Sequence, residues 1–163
     1  MEYIVNDKGT LIKIDSLDNS SVTIPEIALR IGRNVFRSRK DLKEVFMLDN
    51  LKFVGDESFF DCSNLEKIVM PGVITIGKLA FKNCKNLRYV QLSDTLQTLE
   101  EEAFLNCTSL EKIILPKNLK EVKENSFYGC SSMEKLKLSE DLEKIGVKSF
   151  YGCENIKNIS FPS

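Results

Sequence analysis

LEKIILPKNLKEVKENSFYGCSS, residues Leu110 to Ser132, is the stretch from which the fold is read. Its larger apolar side chains fall at Leu110, Ile113, Leu115, Leu119, Val122, Phe127 and Cys130. The preceding stretch repeats the arrangement with Leu87, Val90, Leu92, Leu96, Leu99, Ala103, Phe104 and Cys107. Working outward, Cys62, Cys84, Cys107, Cys130 and Cys153 recur every 22 or 23 residues. A phenylalanine stands three residues before each of them, at Phe59, Phe81, Phe104, Phe127 and Phe150. Phe36 extends that series upstream, with Arg39 in the cysteine position. Self-similarity at a fixed period of this length marks an internal structural repeat.

Numbered from the aliphatic residue that follows each cysteine by three, the unit has apolar slots at 1, 4, 6, 10, 13, 17, 18 and 21. Units then start at residues 19, 42, 65, 87, 110 and 133, with a partial unit over 156–163 and a lead-in over 1–18. The unit from Leu65 is one residue short, between Met70 and Val73. Slots 4 and 6 alternate with polar neighbours, as a half-buried strand does. Slots 13, 17, 18 and 21 recur at helical spacing, which predicts a short helix or 3₁₀ turn. Gly32, Gly55, Gly77 and Gly146 at slot 14 mark the bend between the two segments. One such unit cannot bury its apolar side alone, so the units must stack into a solenoid.

Composition agrees with this and excludes much else. The 163 residues are 42% apolar, and 23 basic side chains nearly balance 24 acidic ones. No stretch approaches the roughly 20 apolar residues of a membrane span. The segment after Met1 is interrupted by Glu2, Asn6, Asp7 and Lys8, so it reads as no signal peptide. On that reading the chain as it stands is cytoplasmic. The net charge of -1 gives no general reason to bind nucleic acid. Histidine is absent, which removes Ser-His-Asp and Cys-His catalysis and imidazole metal sites. No phosphate-binding glycine loop or nucleophile elbow occurs. An enzyme, a bound metal and a cofactor are therefore not expected.

The repeated pattern resembles the BspA-type leucine-rich repeat, L-x-x-L-x-L-P-x-x-L-x-x-I-x-x-x-A-F-x-x-C-x-x. The resemblance runs from about Asn19 to Ser163. It implies an α/β solenoid, a right-handed superhelix of about six units, opened by a β-hairpin cap over residues 1–18. In that hairpin Tyr3-Ile4-Val5 and Leu11-Ile12-Lys13-Ile14 flank the turn Asn6-Asp7-Lys8-Gly9. Asn19 and Arg39 depart from the pattern and make the first unit degenerate, as terminal repeats usually are. The resemblance also implies protein binding, since such repeats occur in bacterial and protozoan surface proteins that bind host or matrix proteins. A secreted or cell-surface location is the alternative it brings.

The five cysteines read as a ladder of reduced thiols at slot 21, each a small buried hydrophobe. No Cys-x-x-Cys is present, and ligands one repeat apart do not suit a metal cluster. The phenylalanines at slot 18 read as a core stack. Glu100-Glu101-Glu102, at slots 14 to 16, read as acidic residues favouring the dipole of a short helix that begins there.

The first place to seek function is the strand face, where slots 2, 3 and 5 point outward. Phe46, Val69, Gln91 and Ile114 form the slot-5 column, and Tyr89 sits beside it at slot 3. These five are the candidate partner-binding residues, because contiguous exposed apolar patches mark partner sites and aromatics are enriched at hot spots. Their alternative role is as strand formers on a solvated, salt-bridged face. A second candidate surface is the C-terminal edge around Ile156, Ile159 and Phe161, where a solenoid without a cap leaves apolar surface and strand edge open. Two functions follow: a protein-binding module whose protein partner is unidentified, or a structural unit that self-associates as a homodimer through that edge.

Overall fold

The computed structural model describes residues 2–15, 17 and 19–160. The chain opens with β1 (Tyr3–Val5) and β2 (Thr10–Ile14), an antiparallel hairpin closed at Asn6–Gly9. From there each unit contributes two short strands. They are β3 (Ser21–Thr23) and β4 (Arg30–Ile31), β5 (Glu44–Phe46) and β6 (Phe53–Val54), and β7 (Lys67–Val69) and β8 (Thr75–Ile76). β9 (Tyr89–Gln91) and β10 (Thr98–Leu99), β11 (Lys112–Ile114) and β12 (Glu121–Val122), β13 (Lys135–Lys137) and β14 (Lys144–Ile145), and finally β15 (Asn158–Ser160) complete the series. From β3 on, each strand pairs in parallel with an equivalent strand of at least one neighbouring unit, so the chain winds as a β-solenoid of about six turns. The hairpin joins this array through β2, which pairs with β4 at Thr10↔Arg30 and Leu11↔Ile31.

The odd-numbered strands β3 to β15 occupy slots 3 to 5, where alternation predicts a strand. The even-numbered strands β4 to β14 occupy slots 12 and 13, where the helical spacing predicts none. No helix occurs among the described residues, so the expected α/β class is corrected to an all-β solenoid. The backbone gives the reason. Residues at slots 16 and 20 hold left-handed φ angles in successive units: Asn34 (61°) and Ser38 (58°), Glu57 (54°) and Asp61 (59°), Leu79 (58°) and Asn83 (62°), Glu102 (56°) and Asn106 (59°). Two such residues four apart interrupt any right-handed helix. The segment becomes linked turns whose amides bond across to the next unit. Phe59 N donates to the Ala80 carbonyl, Phe81 N to Ala103 and Phe104 N to Ser126, each at 2.8 Å.

The Glu100–Glu102 run therefore caps no helix. Its carboxylates meet lysines of neighbouring units instead: Glu100 with Lys123 at 2.8 Å, Glu101 with Lys78 at 3.0 Å, Glu102 with Lys82 at 2.8 Å.

The core follows the slot pattern closely. Phe36, Phe59, Phe81, Phe104 and Phe127 are fully buried. With Phe150 they form a continuous ring stack whose centroids lie 4.8 to 5.4 Å apart. All five cysteines are free and buried. Each thiol donates to the carbonyl of the phenylalanine one unit earlier, from Cys62 to Phe36 (2.9 Å) through Cys153 to Phe127 (3.2 Å). Burial pushes the Cys62 thiol up to about 12 and raises Cys84 and Cys107 as well. In the first unit Arg39 replaces cysteine. It reaches the Ile14 carbonyl (3.3 Å) and holds Asp41 with two nitrogens, at 2.9 and 2.8 Å.

Slot 14 decides how closely the turns stack. A Cβ on Gly55 would lie 2.6 Å from the Ile31 carbonyl oxygen, and one on Gly146 would lie 2.5 Å from Glu124 N. Glycine there lets backbone rest on backbone. Two units carry side chains at this slot instead, Glu100 and Lys123, and these stack on each other. At that interface both strand ladders stop. Among the described residues no strand pairing joins β9 to β11 or β10 to β12. The turn ladder continues across it, with Glu102 N, Phe104 N and Asn106 N bonded to Glu124, Ser126 and Tyr128.

Candidate functional site

The strand face presents slots 3 and 5 outward while slot 4 points into the core. Phe46, Val69 and Gln91 stand in register across β5, β7 and β9. Phe46 and Val69 are half-buried, whereas Gln91 is exposed. Tyr89 is 51% exposed, in register with Lys67. Lys67 Nζ lies 5.0 Å from the Phe46 ring centroid and 5.6 Å from that of Tyr89, so one cation bridges two aromatic rings. Ile114, 48% exposed, is on β11 beyond the ladder break, in register with Lys137. The five residues thus share a face but form two groups. Phe46, Val69 and the rings around Lys67 lie on one sheet, and Ile114 lies on the next.

Between those groups is a cleft of about 470 Å³. Arg88, Tyr89 and Gln91 line one wall and Lys112 and Ile114 the other. Its floor is Val90 and Leu92, at slots 4 and 6. Their equivalents Ile68, Met70, Ile113 and Leu115 are buried, but Val90 and Leu92 are only half-buried. The ladder break has uncovered a piece of core. Ser93 stands at slot 7, where Pro25, Pro71 and Pro116 stand in other units, and its hydroxyl donates to the Pro71 carbonyl at 2.7 Å along the rim. A second hollow of about 270 Å³ shares Lys112 and Ile114 and continues toward Lys135 and Lys137.

The charges do not cancel as the alternation along the strands suggests. Lys157 pairs with Glu134 at 3.0 Å, and Lys43 approaches Glu66 at 4.0 Å. Among the described residues, no ion pair involves Arg88, Lys112, Lys135 or Lys137. Arg88 and Lys112 therefore flank the cleft without an ion-pair partner among the described residues, and the carboxylate of Asp94 lines it as well. Sequence reasoning identifies Tyr89, Gln91 and Ile114 but misses Val90 and Leu92, which it assigns to the core. It places Lys112 on the face only as one of its alternating charges, and it misses the second strand of each unit. The β-branched run Ile74-Thr75-Ile76 was a signal for that strand.

At the C-terminal edge Ile156 is half-buried and Ile159 is 46% exposed. Phe161 lies outside the described residues. Ile145 is 50% exposed where its equivalent Val122 is fully buried. Among the described residues, no group of three or more Cys, Asp or Glu side chains is placed to hold a metal ion, and no helix is long and apolar enough to cross a membrane.

The model of the BspA type leucine rich repeat region matches residues 14–75 and 60–163, with six copies. The chain belongs to this family. A leucine-rich repeat protein from Bacteroides ovatus is 33% identical to this BspA-type array over 86% of the present chain, with a TM-score of 0.79. A leucine rich cell surface protein from Faecalibacterium prausnitzii is 21% identical over 99% of the chain (TM-score 0.77). The T. pallidum leucine-rich repeat protein is 20% identical over 96%, with a TM-score of 0.74. The array spans 36%, 52% and 88% of those three chains. No curated protein matches it.

Proposed function

We propose that this BspA-type array is a non-enzymatic protein-binding module that engages its partner through the strand face. The observation that carries this reading is the cleft between β9 and β11. It uncovers apolar core at Val90 and Leu92 beside exposed Tyr89 and Ile114 and unpaired cations. Ligand sites are concave and apolar with a few placed polar groups, and this cleft has that character. Binding is tested by chemical crosslinking on the source cells, comparing the wild type with Phe46→Glu and Ile114→Glu. Loss of one specific crosslinked protein with unchanged oligomeric state supports the face. Unchanged crosslinking by both variants overturns it.

The second reading, self-association through the C-terminal edge, rests on exposed Ile145 and Ile159, at slots that are buried in earlier units save at Val90. It requires the opposite outcome: a change of oligomeric state in Ile159→Glu, with crosslinking to other proteins unaffected.

A further inference from the structure

We infer that the hollow over β11, β13 and β15 seats an acidic segment of a protein partner, one in which a carboxylate stands beside an aliphatic side chain. The inference rests on the reading of the strand face as a protein-binding surface and names the chemistry of the partner.

The charge register is the first argument. Parallel pairing sets equivalent side chains of adjacent units side by side, roughly 4.8 Å apart. Lys112 stands against Lys135 in this way. The other charged neighbours in register along the described parallel ladders have opposite signs, Glu44 with Lys67 and Glu121 with Lys144. Like charges set side by side across strands are destabilising. Lys137, two residues after Lys135 on β13, points to the same face. All three lysines are exposed, and among the described residues none of them enters an ion pair. The carboxylate of Glu134 is held by Lys157 at 3.0 Å instead.

The lining is the second argument. Lys112, Lys135 and Lys137 surround a hollow of about 270 Å³ together with Ile114, Asn158 and Ser160. Among the described residues no carboxylate lines it, and Asp94 borders only the neighbouring cleft. Three ammonium groups, an amide and a hydroxyl supply donors, and a carboxylate is the acceptor that matches them. Ile114 is 48% exposed beside Lys137 and asks for an apolar neighbour. A polypeptide brings both in adjacent residues, whereas a sulfated glycan or a phosphate backbone brings the charge alone. The occupant lies over a continuous three-stranded sheet, so it needs no opening between strands. Cations placed in this way select an acidic partner and speed its encounter more than they add raw affinity.

The test uses the whole chain with ¹³C-labelled lysine and isoleucine side chains, titrated with the unlabelled, end-capped peptide Gly-Glu-Leu-Glu-Gly and followed by NMR. The expected result is saturable shifts confined to Lys112, Ile114, Lys135 and Lys137. Affinity should fall at least tenfold for Gly-Gln-Leu-Gln-Gly, and severalfold for Gly-Glu-Ser-Glu-Gly. The protein carrying Lys112→Gln and Lys135→Gln should also bind at least tenfold more weakly. Lys135→Glu adds a second readout, because it turns a like-charged pair into an opposite one. It should raise the urea midpoint of the free chain while abolishing peptide binding. Binding retained by Lys135→Glu, equal binding of the glutamine peptide, no saturable binding, or shifts confined to other residues would overturn the proposal. A sulfated dextran that moves the same lysines, with the serine peptide binding as well as the leucine one, would show a general anion surface and overturn it too. If the peptide fails while Ile114→Glu still abolishes the specific crosslink, the strand face remains a binding surface and only its acidic occupant is lost.

Discussion

Lys123 Nζ reaches both carboxylate oxygens of Glu100, at 2.8 and 2.9 Å, across the interface where the strand ladders stop. Elsewhere at this slot at least one of the two stacked residues is glycine. Only at this interface do two side chains meet at slot 14, and it is the interface at which the strand ladders stop. The double variant Glu100→Gly, Lys123→Gly should let β9 pair with β11 and β10 with β12. Amide exchange at Leu92 and Lys112 should then slow by at least tenfold. Exchange as fast as in the wild type would show that another feature opens the cleft.

The phenylalanine stack sits at the centre of every turn. Phe104 is fully buried, between the rings of Phe81 and Phe127. Phe104→Ala should lower stability by about 3–5 kcal/mol, from lost burial and the cavity left behind. Urea denaturation measures it, and a loss below about 1 kcal/mol would be incompatible with a packed stack.

The cysteines make stability depend on alkaline pH. Burial raises the Cys84 and Cys107 thiols above their ordinary value of 9.0, and lifts Cys62 to about 12. Below 9.0 the folded and unfolded chains are both protonated, and these thiols give no pH dependence. Above it the unfolded chain ionises first while the folded chain stays neutral, so stability falls as pH rises toward about 12. Cys107→Ala should flatten that fall by about 1.4 kcal/mol per pH unit, one thiol's share. Urea midpoints measured from neutral pH upward provide the comparison. In the native protein Cys62, Cys84, Cys107 and Cys130 should resist a thiol reagent, and in urea all five thiols should react.

The left-handed turns can be probed where the side chain does nothing else. Lys148 is exposed, with φ of 55°, and among the described residues it makes no ion pair. Lys148→Gly removes the steric cost of that conformation, about 1–2 kcal/mol, against a glycine entropy loss of about 0.5–1 kcal/mol. A net gain of up to about 1.5 kcal/mol is expected. Lys148→Val should lose stability, since a β-branched residue is disfavoured at positive φ. Thermal melts giving the reverse order would contradict the turn geometry.

The repeat and its core were legible in the sequence because burial imposes a periodic demand on side chains. Phe104 and Cys107 could be assigned to the interior from spacing alone. The helix between slots 13 and 21 could not be corrected that way. Valine, phenylalanine and cysteine at slots 13, 18 and 21 are buried by either conformation. The choice rests on left-handed φ at positions such as Leu79 and Lys148, which carry no turn signature. Asn106 and Gly129 at slot 20 do carry one, and they were the available hint. Tyr89 and Ile114 were recognisable as outward-facing residues. The cleft between them lies where two adjacent units fail to pair their strands, a relation that no single-unit pattern contains.

The unbroken ladder of turn hydrogen bonds has a mechanical consequence. One side of the array is a continuous rail from Asn34 to Tyr151, while the strand side is interrupted once, after the fourth unit. A rod fastened in this way has unequal stiffness. Flexing toward or away from the strand side concentrates at the Glu100–Lys123 interface, and the rail acts as the spine about which the two halves fold.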